Sequence, residues 1–311
     1  MMKRIWLFIL AGLLLLTGFG ILLYPNINRI AAGVTDREKI VHFREEQKIA
    51  DGEDTPYADL LAQMQDYNKK IYENGQEDLK DVWSYEQNPF DFDTAGLPDD
   101  MIGYITIDAM DEEMPLYIGA NKENMSKGAV VMGQTSMPVG GENTNCVIAA
   151  HRGYRGIPMF QYIEVLQPGD KVEITNLWET IEYEVVKCIV IRPDDIDAVK
   201  IVPGQDMLTL ITCHPYTQNY QRYVVYCRRS DREAAAIQEG DQSDPLTAFD
   251  GVVYESSAGD IRRERLVNTA VLTGLAVVCL AVVMAVCVKG RKQRKRKKHV
   301  KRERGKRRSN G

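Results

Sequence analysis

The sequence predicts a mainly β protein: an eight-stranded β-barrel with short helices, preceded by an N-terminal helical segment and flanked by two transmembrane helices. Three observations support this. From Met101 to Arg229, short apolar runs of strand length alternate with turn residues. Ahead of them, residues 34–81 are charged and helical in period. Near each end of the chain lies an uncharged apolar run long enough to cross a bilayer. The expected division is a cytoplasmic N-terminus (1–4), a first membrane helix (5–24), a helical region (25–83), a loop (84–97), the barrel (98–230), a tether (231–265), a second membrane helix (266–288) and a basic cytoplasmic tail (289–311).

Ile5 to Tyr24 supplies about 20 uncharged, mostly apolar residues. Met1-Met2-Lys3-Arg4 would also suit a signal peptide, but Tyr24-Pro25-Asn26-Ile27-Asn28 offers no small-residue cleavage site, which favours an uncleaved anchor. Leu266 to Val288 is the second run. Lys3, Arg4, Lys289, Arg291 and Lys292 flank the two runs on their outer ends. The positive-inside rule then places both termini in the cytoplasm and 25–265 outside, with Arg262, Arg263 and Arg265 outnumbered by the tail. The formal net charge of -5 hides this asymmetry: the tail carries about +13 and 25–265 about -20. A basic cluster next to a membrane helix points to anionic lipid rather than nucleic acid.

Val34 to Ala50 is a candidate helix, broken at Asp51-Gly52-Glu53-Asp54. Thr55-Pro56 reads as N-cap and first residue of the next, with Leu60, Met64, Tyr67 and Ile71 forming one apolar stripe. Glu86 to Asp93 is an acidic, aromatic, loop-like stretch. The eight strands are expected at Ile102–Ile107, Met114–Ile118, Ala129–Met132, Asn145–Ala150, Lys171–Thr175, Thr180–Ile191, Met207–Thr212 and Arg222–Arg228. Pro138-Val139-Gly140-Gly141, Pro168-Gly169-Asp170 and Pro203-Gly204 mark turns. Residues 231–265 are polar and poorly periodic, as a tether would be.

Chemistry concentrates where one strand stops at Pro215, delivering Cys213 to its end, and the next opens at Arg222. Strands joined by so short a loop pair antiparallel, so thiol and guanidinium flank the same loop. A cation lowers a thiol's pKa and can stabilise an oxyanion. On chemistry alone, Cys213 reads equally as a core cysteine and Arg222 as a surface arginine. A thiol nucleophile also needs a proton carrier. Of the four histidines, His299 lies in the tail, His42 in the first helical segment, and His214 beside Cys213 points to the opposite side of the chain. That leaves His151, at the end of the apolar run Cys146 to Ala150. Cys279 and Cys287 read as apolar fillers of the second membrane helix, and with Cys213 free, Cys146, Cys188 and Cys227 allow at most one bridge. No zinc spacing, phosphate loop or HExxH helix is evident, and the scattered acids read as solvated faces, so no cofactor, metal or nucleic-acid partner is expected.

Thr209-Leu210-Ile211-Thr212-Cys213, with Arg222 nine residues on, resembles the signature of sortases, the cysteine transpeptidases of Gram-positive cell surfaces. Cys213-His214-Pro215-Tyr216, Asn219 to Arg222, Pro138 to Gly141 and Ala149-Ala150-His151-Arg152-Gly153 are similar to the class C, pilin-polymerising branch. The resemblance implies a sortase-type barrel in which Cys213 attacks the Thr–Gly carbonyl of an LPXTG-like sorting signal. It implies that His151 protonates the leaving amine, and that Arg222 and the backbone N–H of His214 hold the oxyanion. The implied partners are LPXTG-containing surface or pilin proteins and, as acceptor, a pilin lysine or a cell-wall amine. It implies too a lid at Asn88-Pro89-Phe90, where asparagine stands in place of the family's aspartate. The alternatives are a cell-wall anchoring sortase, a cysteine peptidase and a membrane-tethered barrel that only binds.

Overall fold

A computed structural model of the chain describes residues 2–50, 57–77, 79–84, 90, 92, 96–154, 157–216, 218–230, 246, 249 and 251–253, with scattered helical positions from 262 to 284. The chain divides into two units, Met1–Ser256 and Ser257–Gly311.

The first unit opens with a single helix, α1 (Met2–Ala50). The expected membrane segment 5–24 and the expected helix 34–50 are thus one element that continues through Pro25. A proline inside a helix removes one backbone bond and costs about 3 kcal/mol. The far half of α1 packs on the barrel. Ile40 and Phe43 are buried, and Phe43 meets Tyr104 edge-on at 6.0 Å. Lys39 Nζ donates to Tyr117 Oη at 3.0 Å, and Arg44 donates to Tyr104 Oη at 2.9 Å and pairs with Glu113. Among the described residues, no helix is long and apolar enough to cross a membrane. The side chains of 5–24 lie largely outside the described residues, as does most of 266–288.

Helix α2 (Ala58–Glu73) starts behind Tyr57, while Thr55 and Pro56 lie outside the described residues. Its stripe is buried as expected at Leu60, Met64 and Ile71. Tyr67 is partly buried, its hydroxyl accepting the Gln134 N–H at 3.1 Å. Asn68, which belongs to the same face, is buried and bonds both backbone groups of Met137.

The barrel strands are β1 (Gly103–Ile107), β2 (Glu112–Ile118), β3 (Ala129–Val131), β4 (Thr144–Ala149), β5 (Lys171–Asn176), β6 (Thr180–Ile191), β7 (Asp206–His214) and β8 (Gln221–Arg229), with a short helix α3 (Lys122–Lys127) before β3. Their order is β5-β1-β2-β3-β4-β7-β8-β6, and β6 closes on β5. Most pairs are antiparallel, but β2–β3 and β4–β7 are parallel. All nine residues of β7 are buried, as expected of a strand apolar on both faces.

The expected tether is partly built into the barrel. Val252–Val253 forms β9 on the edge of β6, Leu246 is buried, and Phe249 stacks on Tyr226 at 5.1 Å. Four isolated apolar residues in a polar stretch carry no period, so the docking was not visible in the pattern.

Candidate active site

The site lies at the C-terminal end of β7. In the antiparallel β7–β8 ladder, Cys213 stands directly opposite Arg222. In the parallel β4–β7 ladder, the last register pair is Ala149 with Ile211, and the Ala150 N–H still donates to the Ile211 carbonyl at 3.4 Å. Strand β4 ends at Ala149, and His151 follows two residues on, in the loop beyond it. Cys213 and Arg222 therefore form a row across β7 and β8, and His151 lies just past the end of β4, the neighbour of β7 on its other side.

The position of each is fixed locally. The His151 carbonyl accepts the Phe160 N–H at 3.1 Å, and its ring stacks on Tyr154 at 4.9 Å with planes 12° apart. Gly153, between them, has φ +87, a conformation that favours glycine. Burial pushes the His151 pKa down. Cys213 is only 7% exposed. Burial pushes its thiol up to about 11, with Asp81 adding to the rise and Arg222 and Arg152 opposing it. Both shifts favour the uncharged forms, thiol and neutral imidazole. The peptide bond from His214 to Pro215 is cis. The His214 amide, expected beside the oxyanion, sits in the last register pair of the ladder, opposite Gln221.

Arg222 is fully engaged. Its Nε and Nη2 donate to the two carboxylate oxygens of Asp81 at 3.0 and 2.8 Å. Its Nη1 donates to the carbonyls of Asn219 and Gln221. The guanidinium also lies 4.5 Å from the Trp83 ring centroid. Charge-assisted bonds of this kind contribute about 1.5–3 kcal/mol each, and a cation over an aromatic face about 0.5–2 kcal/mol. Trp83 lies in the turn Val82–Ser84 after α2, with Asp81 just ahead of it, so a segment from outside the barrel covers Arg222.

Asp81 and Trp83 lie earlier in the chain than the lid expected at Asn88-Pro89-Phe90. Asn88 and Pro89 lie outside the described residues. Phe90 packs on Tyr67 of α2 at 5.6 Å and on Phe92 at 5.8 Å. The signal that would have found the contact to Arg222 is Asp81-Val82-Trp83, an acid and an aromatic two residues apart. A search for an acid followed by proline passes over it.

Behind Cys213, on the His214 side, lies a second charged group. Arg152 and Glu164 form a buried ion pair, and both touch the His214 ring. Strand alternation separates the two neighbours as expected, with Cys213 on the row and His214 on this pair. Burial and Arg152 push the His214 pKa down, against the pull of Glu164. The four described cysteines, Cys146, Cys188, Cys213 and Cys227, are all free thiols.

Comparison with known proteins points to one family. The family model of the sortase domain matches residues 105–230. The chain is 30% identical to Sortase A of Bacillus anthracis over 125 residues, covering 40% of this chain and 58% of that protein. It is 25% identical to Sortase D of Bacillus subtilis (strain 168) over 130 residues, covering 41% and 63%. The match thus spans less than two thirds of the length of these relatives. Among solved structures, Sortase C1 of GBS Pilus Island 1 is 29% identical with a TM-score of 0.58, the match covering 62% of this chain and 98% of that one. Sortase C from Clostridium perfringens SM101 is 31% identical with a TM-score of 0.50, covering 62% and 99%.

Proposed function

This chain belongs to the sortase family, and from that premise we propose that it is a membrane-anchored cysteine transpeptidase of the pilin-polymerising branch. The observation that carries the reading is Cys213 directly opposite Arg222 at the end of β7, with His151 in the loop that follows the neighbouring strand β4. Cys213 attacks the Thr–Gly carbonyl of an LPXTG-like signal as its proton passes to His151. The C–N bond breaks, His151 returns the proton to the departing glycine amine, and a thioester to Cys213 remains. Arg222, released from Asp81, holds the oxyanion together with the His214 amide. An acceptor amine, which we take to be a pilin lysine, then gives its proton to His151 and displaces the thiol. The likeness to Sortase C1 of GBS Pilus Island 1 supports this acceptor over a cell-wall amine.

Asp81 and Trp83 are the latch of the resting site, in the role expected of Asn88-Pro89-Phe90. Residues 5–24 and 266–288 anchor the chain in the membrane of a Gram-positive cell, with the barrel outside, both termini in the cytoplasm and the basic tail on anionic lipid.

The test is to incubate the full-length protein in detergent with an LPXTG peptide and look for a thioacyl adduct by mass spectrometry. We expect an adduct on Cys213, absent from Cys213→Ala, reduced at least tenfold in Arg222→Ala, and several-fold greater in Asp81→Ala, Trp83→Ala. Adding a pilin lysine peptide or a cross-bridge amine then separates polymerisation from wall anchoring. If the open variant forms no adduct with any sorting motif, the transpeptidase reading is wrong and the barrel only binds.

A further inference from the structure

We propose that Arg152, braced by Glu164, is a positioning residue that locks the loop carrying His151 to the strand end carrying Cys213. This rests on the reading of His151 and Cys213 as the reacting pair. The last backbone bond between β4 and β7 is the one from Ala150 to Ile211, after which the chain turns away from the sheet. In a continued parallel ladder, the next carbonyl to be met would be that of Cys213. The Arg152 side chain meets it instead: Nη1 donates to the Cys213 carbonyl at 3.3 Å. The same nitrogen lies 2.7 Å from His214 Nδ1, and Nη2 pairs with Glu164, whose carboxylate is 3.3 Å from that Nδ1. Glu164 stands in the turn Ile163–Val165, which closes the loop begun at His151. One guanidinium thus ties together the residue after the imidazole, the carbonyl of the nucleophile and the far end of the loop.

Stability does not account for this arrangement. The side chains of Arg152 and Glu164 are only 5% and 10% exposed. Arg152 Nε is buried with no hydrogen-bond partner among the described residues. A buried ion pair with an unmet donor is commonly no better for stability than apolar packing of the same volume. What the planar fork provides is direction, which a lysine cannot reproduce. Proton transfer between His151 and the leaving amine requires hydrogen-bond reach, and misplacement by about 1 Å costs on the order of a hundredfold in rate.

The test uses the full-length protein carrying Asp81→Ala and Trp83→Ala, so that access to the site is not limiting. Two substrates are compared: the sorting peptide with its Thr–Gly amide, and the matching thioester, whose leaving thiolate needs no proton. The thioester is assayed at pH 9, where solvent base assists removal of the thiol proton. For Arg152→Lys we expect kcat on the amide to fall at least tenfold with KM within twofold, while thioester turnover falls less than threefold. If Arg152→Lys does not fold, Glu164→Gln, which keeps the arginine and removes its brace, is read in the same way. Equal losses on both substrates, a change in KM alone, or no change overturns the proposal. If the parent protein turns over neither substrate, the transpeptidase reading itself fails, and this proposal fails with it.

Discussion

At the scale of single residues, the resting site is defined by a thiol held un-ionised. Burial is the largest cause of the rise to about 11, and Asp81 adds to it while Arg222 opposes it. Asp81→Asn removes one raising charge and frees Arg222, and both changes lower the thiol pKa. Below the pKa, each unit of lowering raises the thiolate fraction tenfold. Iodoacetamide labelling of Cys213 at pH 8, followed by peptide mapping, should therefore be roughly tenfold faster in Asp81→Asn than in the wild type. Equal or slower labelling would show that Asp81 does not hold the site closed. The partners of Cys213 differ in how visible they were in the sequence. His151 and Arg222 stand at the ends of apolar runs, where a strand delivers a side chain to a loop. Asp81 and Trp83 come from a turn outside the barrel, about 140 positions from Arg222 by the numbering. Glu164 meets Arg152 only because the loop folds back on itself, and no local pattern announces such a contact.

At the scale of elements, the barrel strands were readable because β7 and its neighbours are runs of apolar and β-branched residues bounded by Pro-Gly turns. Where boundaries moved, tertiary pairing decided them. Strand β2 begins two residues early, at the charged Glu112 and Glu113, because these sit opposite Ile107 and Thr106 of β1. The strap after β8 was not readable, yet it is tied down firmly. Lys187 Nζ donates to the Leu246 carbonyl at 2.7 Å, just past the register shift between Val185 and Lys187, and Gly251 lies so close to Ile189 that a Cβ would come within 2.9 Å. Phe249→Ala removes a half-buried ring from Tyr226 and should cost about 1–2 kcal/mol, lowering Tm by a few degrees. Thermal unfolding followed by circular dichroism checks this, and an unchanged Tm would mean the strap only rests on the barrel.

At the scale of the whole first unit, the N-terminal helix and the barrel are one body. Ile40 and Phe43 are buried, the Arg44 ties reach Tyr104 and Glu113, and Gln47 donates to the Asn176 carbonyl at 3.0 Å. The sequence predicts a division between 24 and 25, with a membrane helix before and a helical region after. Instead α1 runs unbroken from Met2 to Ala50. Under the proposed topology, the direction in which the catalytic groove faces is set by helical phase. Each residue added between Pro25 and Asn28 would turn the barrel by about 100° about the helix axis, since a turn holds about 3.6 residues. Inserting two alanines would swing the groove to roughly the opposite side, whereas inserting seven would return it to within about 20° of its bearing and raise it by about 10 Å. If pilin joining in cells is lost with two and regained with seven, the membrane helix acts as a compass needle for the enzyme. If both insertions are tolerated, the barrel finds its substrates from any bearing.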